Sequence, residues 1–151
     1  MMRVTEIGKG RGKDYEDPIT VVDKATMKAK QNIYYGRGFV QINWDVNYKK
    51  VGEKIGLGDK LYLNPKLALD FEIAYKIMPF GMRLGLFTGV GLAKFIAGNK
   101  CDYASARRII NGTDHAHEIA SNALVFERLL MASRLKNIYK SITGNEYANY
   151  V

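Results

Sequence analysis

The chain has 151 residues, 47% hydrophobic and 25% charged, enough for one domain with a buried core and ordinary for a soluble globular protein. No apolar run approaches the roughly 18–20 residues of a membrane span, and the basic N-terminus lacks the apolar h-region of a secretory signal, so neither stable membrane insertion nor signal-directed export is expected. The net charge of +8 implies attraction to something anionic, without choosing among nucleic acid, a membrane surface and a cell wall, and is equally a size common in small soluble domains; the lone cysteine excludes an intramolecular disulfide framework.

Residues 1–33 are polar and rich in Gly and Lys, and they read as loop. The run Gly8–Lys13 lacks the Gly-Lys-Ser/Thr ending and the preceding apolar strand of a phosphate-binding loop, so it reads as a solvated turn. A short β segment is possible at Phe39–Ile42. Trp44, Tyr48, Val51 and Ile55 then recur at helical spacing, with Asn43 placed to cap the helix and Gly56 and Gly58 to end it.

Asn64-Pro65 opens a short helical turn, and Asp70 can cap a longer helix whose stripe is Ile73, Ala74, Ile77, Met78 and Met82. Pro79 should kink that helix. Thr88–Gly91 breaks the chain before a short helix bearing Leu92, Phe95 and Ile96, stopped by Gly98. Asp102 caps a helix through Ile109 and Ile110. After the turn Asn111–Asp114, with Asp114 as cap, a last helix sends Ile119, Ala123, Phe126, Leu130, Leu135 and Ile138 toward a core. From 143 to 151 the pattern fades into a polar tail. The chain is expected to be a single, mainly α domain, with at most a short β segment and no internal repeat.

The most informative stretch is Tyr34–Tyr48, YYGRGFVQINWDVNY. Two tyrosines, an arginine, a glutamine and two asparagines crowd a Gly-x-Gly turn. Aromatic faces stack on sugar rings, amides bond hydroxyls and N-acetyl groups, and paired glycines let backbone approach a ligand. On spacing alone, the plainer reading is a tight turn feeding a helix, with Tyr34 and Trp44 in the core.

This stretch resembles the YYGRG-[FP]-[IV]-Q-[LI]-[ST]-x-x-x-N-Y signature of glycoside hydrolase family 19, which includes chitinases and phage endolysins. LNPKLALDFEIA and IINGTD, further along the chain, resemble later segments of that family in the same order. Short loops and absent disulfides favour the endolysin branch. The resemblance implies a lysozyme-like helical fold and a cofactor-free, inverting hydrolysis of β-1,4 glycan linkages in peptidoglycan. It also implies a monomer held in the cytoplasm until holin-type lysis releases it to the wall.

By the same resemblance, Gln41 and Asn47 line the sugar cleft and Tyr35 and Arg37 shape its wall. Asn111 contacts substrate from the opposite side. Asn43 stands where the family has Ser or Thr to hold the attacking water. Val4–Gly8 resembles the segment carrying the general base, which assigns that role to Glu6. The acid's His-Glu-Thr motif is missing, and the chain begins where that motif should have ended, as if truncated relative to the family. Glu16 and Asp17 are other acidic residues in the first loop, and they read as solvated charge.

Three further readings are excluded or kept as competitors. His115 and His117, at i and i+2, share no helical face and have no cluster around them, so no metal site is expected. Basic residues scattered over loops and several helices, without a recognisable motif, argue against nucleic acid as partner. Cys101 reads as a half-buried structural thiol. The competing functions are a chitinase and a non-catalytic protein that binds wall sugars.

Overall fold

A computed structural model describes residues 4–143, and it is mainly α. In chain order, the strands are β1 (Val4–Thr5), β2 (Ile19–Asp23), β3 (Lys28–Asn32), β4 (Arg37–Gly38), β5 (Ile96–Ala97) and β6 (Lys100–Cys101). The helices are α1 (Asp45–Lys54), α2 (Lys60–Leu63), α3 (Phe71–Leu84), α4 (Tyr103–Ala106) and α5 (Ala116–Thr143). The strands pair antiparallel as β1 with β4, β2 with β3, and β5 with β6. The polar tail expected after residue 143 lies outside the described residues.

The core gathers Tyr34, Ile42, Tyr48, Val51, Leu61, Ala68, Ile77 and Leu86, with Val21 from the first hairpin. In α1 the predicted period is correct for Tyr48 and Val51, both fully buried. Trp44 departs from it. It is the cap residue of α1 at φ 65°, 39% exposed, and its ring meets Tyr15 edge-on, 5.3 Å between centroids. Asn43, expected as the cap, precedes it and makes no cap bond.

The first 33 residues are not all loop, because β2 and β3 form a five-residue hairpin. Ile19-Thr20-Val21-Val22 has strong strand propensity. Asp23 turns the chain by accepting from Ala25 N at 2.9 Å and Thr26 Oγ at 2.9 Å, an Asx turn. The return strand, Lys-Ala-Lys-Gln-Asn, is polar and mostly exposed, so no apolar alternation announces it.

The Asp70 cap of α3 is present: Ile73 N donates to Asp70 Oδ1 at 3.1 Å. The helix runs unbroken through Pro79 to Gly85, which is left-handed at φ 66°. The expected helix around Leu92–Ile96 is instead a single 3-10 turn (Leu92–Lys94) followed by the β5–β6 hairpin. Gly98, at φ 56°, supplies its reversal. Asp102 caps α4 by accepting from Ser105 N at 3.0 Å. A 3-10 turn, Arg107–Ile109, continues that helix.

Asp114 does not cap the last helix. Its carboxylate is bound to Arg107 at 3.1 and 3.3 Å, and the chain enters α5 through His115 at φ 54°. Nor does α5 turn its apolar residues into a core. Ile119, Phe126, Leu130, Leu135 and Ile138 are 42–71% exposed, because the helix packs chiefly on the four-residue α4. Cys101 is exposed rather than half-buried.

Candidate functional site

Between Tyr34 and Trp44 the chain reverses on itself. Arg37 N donates to Ile42 O at 3.2 Å and Ile42 N to Arg37 O at 3.0 Å, closing a turn over residues 38–41. The expected strand at 39–42 is therefore this turn, with Ile42 in an isolated bridge to Arg37. Gly38 sits at φ 78°, and a Cβ there would lie 2.6 Å from the carbonyl oxygen of Ala68. Only glycine meets both conditions. Gln41 and Trp44 are also left-handed, at φ 53° and 65°. Such conformations cost side-chain-bearing residues free energy and tend to gather at functional sites.

Arg37 is the buried post behind this turn. It is 3% exposed, and its guanidinium lies 3.4 Å from the centroid of the Tyr35 ring. It donates to Tyr35 O at 3.1 Å, Ile33 O at 3.0 Å and Tyr48 Oη at 3.0 Å. Tyr48 in turn donates to Tyr35 O at 3.0 Å. Burial pushes the Tyr48 phenol up to about 12, against the opposing pull of the Arg37 charge. Tyr35 and Arg37 thus stand behind the cleft and not on its wall, which corrects the role expected for them. The two Nη atoms of Arg37 and the carbonyl of Tyr35 hold the 33–48 segment together.

Glu6 arrives at the same place through the pairing of β1 with β4, which sets Val4 opposite Gly38 and Thr5 opposite Arg37. Its Oε2 accepts from Gly36 N at 2.7 Å and its Oε1 from Tyr15 Oη at 2.9 Å. The phenol of Tyr15 is raised by desolvation first, then by its bond to the Glu6 carboxylate, while the nearby Asn43 side chain pulls the other way. A Cβ on Gly36 would fall 2.9 Å from Gln41 Oε1 and 3.3 Å from Glu6 Oε2, so Glu6 and Gln41 adjoin around Gly36. The Gln41 amide donates to Val4 O at 2.7 Å and Gly38 O at 3.1 Å, pinning β1 to the turn.

In front of this group lies a cleft of about 800 Å³, within the range of small-molecule sites. One wall carries Gln41, Asn43 and Asn47; the other carries Arg107, Arg108 and Asn111. The Asn47 amide donates to Asn43 O at 3.0 Å, which fixes the pair one helical turn apart. Four of the seven predicted site residues therefore share one cleft; Glu6 does not line it, and adjoins Gln41 around Gly36. No carboxylate lines the cleft among the described residues. Glu16 is exposed and accepts from Gly12 N at 2.6 Å, and Asp17 is exposed as well.

Sequence reading missed three residues. Tyr15 sits in a Gly- and Lys-rich loop and gains its meaning only from the fold. Arg107 and Arg108 put two cations on the cleft wall, and their adjacency just before the Asn111 turn was the available signal. Arg107 is held by Asp114, and Arg108 lies over the Phe95 ring at 5.2 Å. His115 pairs with Glu118 at 3.1 Å, and no cluster able to hold a metal occurs among the described residues. No family model, curated protein or solved structure matches the chain.

Proposed function

We propose that this domain is a peptidoglycan-degrading glycosidase of the endolysin type, with the lysozyme-like helical fold of family 19. The observation that carries the reading is the amide-walled cleft of Gln41, Asn43, Asn47 and Asn111, with the Glu6 carboxylate held beside Gln41 by Gly36 N and Tyr15 Oη. In an inverting hydrolysis one carboxylate activates water on one face of the sugar while an acid protonates the leaving oxygen from the other. Glu6 is the base. Its two oxygens are each fixed by one donor, which leaves lone pairs for a water held toward the cleft by Asn43. Gln41, Asn47 and Asn111 bond the sugar hydroxyls and N-acetyl groups.

The cleft wall carries no carboxylate among the described residues, and the family resemblance places the acid in a His-Glu-Thr motif that these 151 residues do not contain. Arg107 and Arg108 favour the anionic peptidoglycan strand over uncharged chitin. The reading also places the protein in the cytoplasm until lysis through a holin-type pore. The absence of a cleft carboxylate supports a second reading, a non-catalytic protein that binds wall sugars.

Lysis of outer-membrane-permeabilised Gram-negative cells separates the two. The 151-residue chain should be slow or inactive, since loss of general acid catalysis typically costs about a hundred- to ten-thousand-fold. A chimera that fuses a His-Glu-Thr helix to the chain should lyse, and Glu6→Gln should abolish that activity. Lysis that survives Glu6→Gln would overturn the hydrolase mechanism. Binding to sacculi without lysis in either form would establish the second reading.

A further inference from the structure

We propose that the exposed face of α5 is the seat of a second copy of this chain, docked antiparallel about a two-fold axis between Leu130 and Met131. At 100° per residue, Ile119, Ala123, Leu124, Phe126, Leu130, Met131, Leu135 and Ile138 fall within one half of the helical circumference. All of these except Ala123 are 42–71% exposed. A monomeric protein rarely leaves so continuous an apolar stripe in water.

Two charges interrupt the stripe. Glu127 and Arg134 are seven residues apart, so they lie within about 20° of each other near its centre. A groove of about 400 Å³ between α4 and α5 carries both, together with Tyr103, Phe126, Leu130 and Met131. Neither charge takes part in an ion pair among the described residues.

This spacing makes the face complementary to itself. In an antiparallel pair centred between Leu130 and Met131, Glu127 of each copy meets Arg134 of the other, giving two equivalent ion pairs. The same register sets Phe126 against the second copy's Leu135, and Ala123 against its Ile138. A parallel pair would set Glu127 against Glu127 and Arg134 against Arg134. Like charges across a contact are repulsive, and a closed two-fold pair is the commonest oligomer symmetry.

The stripe from Ile119 to Ile138 is about 30 Å long on a helix about 10 Å across, so half its wall is about 470 Å² per copy, against about 800 Å² in a standard interface. Contacts to the rim of α4 would add to it. The pairing does not depend on the hydrolase reading.

Sedimentation velocity over a micromolar concentration series tests it. The unaltered chain should form a dimer. Arg134→Glu and Glu127→Arg, each alone, place like charges in the seam and should shift the dissociation constant upward by about tenfold or more. Mixing the two variants restores both ion pairs and should recover a mixed dimer, which shows that neither change has unfolded the helix. A chain that stays monomeric across the series would assign the face to another occupant and overturn the proposal. So would a dimer indifferent to both charge changes, or singly weakened chains that fail to pair when mixed.

Discussion

At the level of single residues, the site turns on a carboxylate whose neighbours come from three separate stretches of chain. Tyr15 donates its phenol to Glu6 and so orients the carboxylate. If the proposed function holds, Tyr15→Phe in a lytically active form should lower kcat by about tenfold with little change in KM, since it loosens the proposed base without touching the cleft amides. The bond is also visible without turnover. Tyr15's phenol is raised partly by the Glu6 carboxylate, so in Glu6→Gln its titration should move back toward 10 but stop short, because desolvation remains. A Tyr15 titration unchanged by Glu6→Gln would remove the contact. Gln41 has two tasks. Gln41→Ala should weaken glycan binding and also cost about 1–2 kcal/mol of stability, by orphaning the carbonyls of Val4 and Gly38, as read by denaturant unfolding beside binding. Gln41, Asn43, Asn47 and Asn111 were legible through the resemblance of their segments to the family signature, since spacing alone favours a plain turn, and the fold gathers the four on one cleft. Tyr15 was not, because its partner lies nine residues back in an irregular loop that only the β1–β4 pairing anchors.

The secondary elements show where local pattern suffices and where packing overrules it. Asp70 reads as a cap from its place before an apolar stripe, and its bond to Ile73 N bears that out. Asp70→Ala should cost about 1 kcal/mol. Gly81 gives the opposite lesson. Helix propensity alone says that Gly81→Ala gains about 1 kcal/mol. A Cβ there, however, would lie 2.0 Å from the Phe87 ring, so the substitution should destabilise the protein. Thermal unfolding of the two variants checks both signs, and a stabilised Gly81→Ala would contradict the packing of α3 on Phe87. The β2–β3 hairpin escaped notice because β3 has no apolar alternation to read. In α5 the apolar period is real, but period reports only that a face is suited to burial. What covers that face is a property of the neighbouring elements, and among these α4 is only four residues long.

For the whole molecule, the buried Tyr34 and Tyr48 make the core sensitive to alkali. Both phenols are raised by burial, Tyr48 to about 12. A group whose folded value lies above its unfolded value of about 10 contributes stability that is complete below pH 10 and lost as pH climbs through the folded value. Stability should therefore fall between about pH 10 and 12, with Tyr48 alone accounting for about 2–3 kcal/mol. Unfolding followed across that range checks the sign, and a protein indifferent to pH 12 would mean the phenols are not buried as described.

The net charge of +8 predicts that association with purified sacculi weakens as salt rises. The central claim is that the cleft between the Gln41–Asn47 and Asn111 walls binds an N-acetylated glycan, and it can be tested without any turnover. Titrating the 15N-labelled chain with an N-acetylglucosamine oligosaccharide should shift the side-chain amide signals of Gln41, Asn43, Asn47 and Asn111 together, along one binding curve. Saturable binding that leaves these four amides unmoved, or no binding of peptidoglycan fragments or chitin oligosaccharides at millimolar concentration, would contradict it.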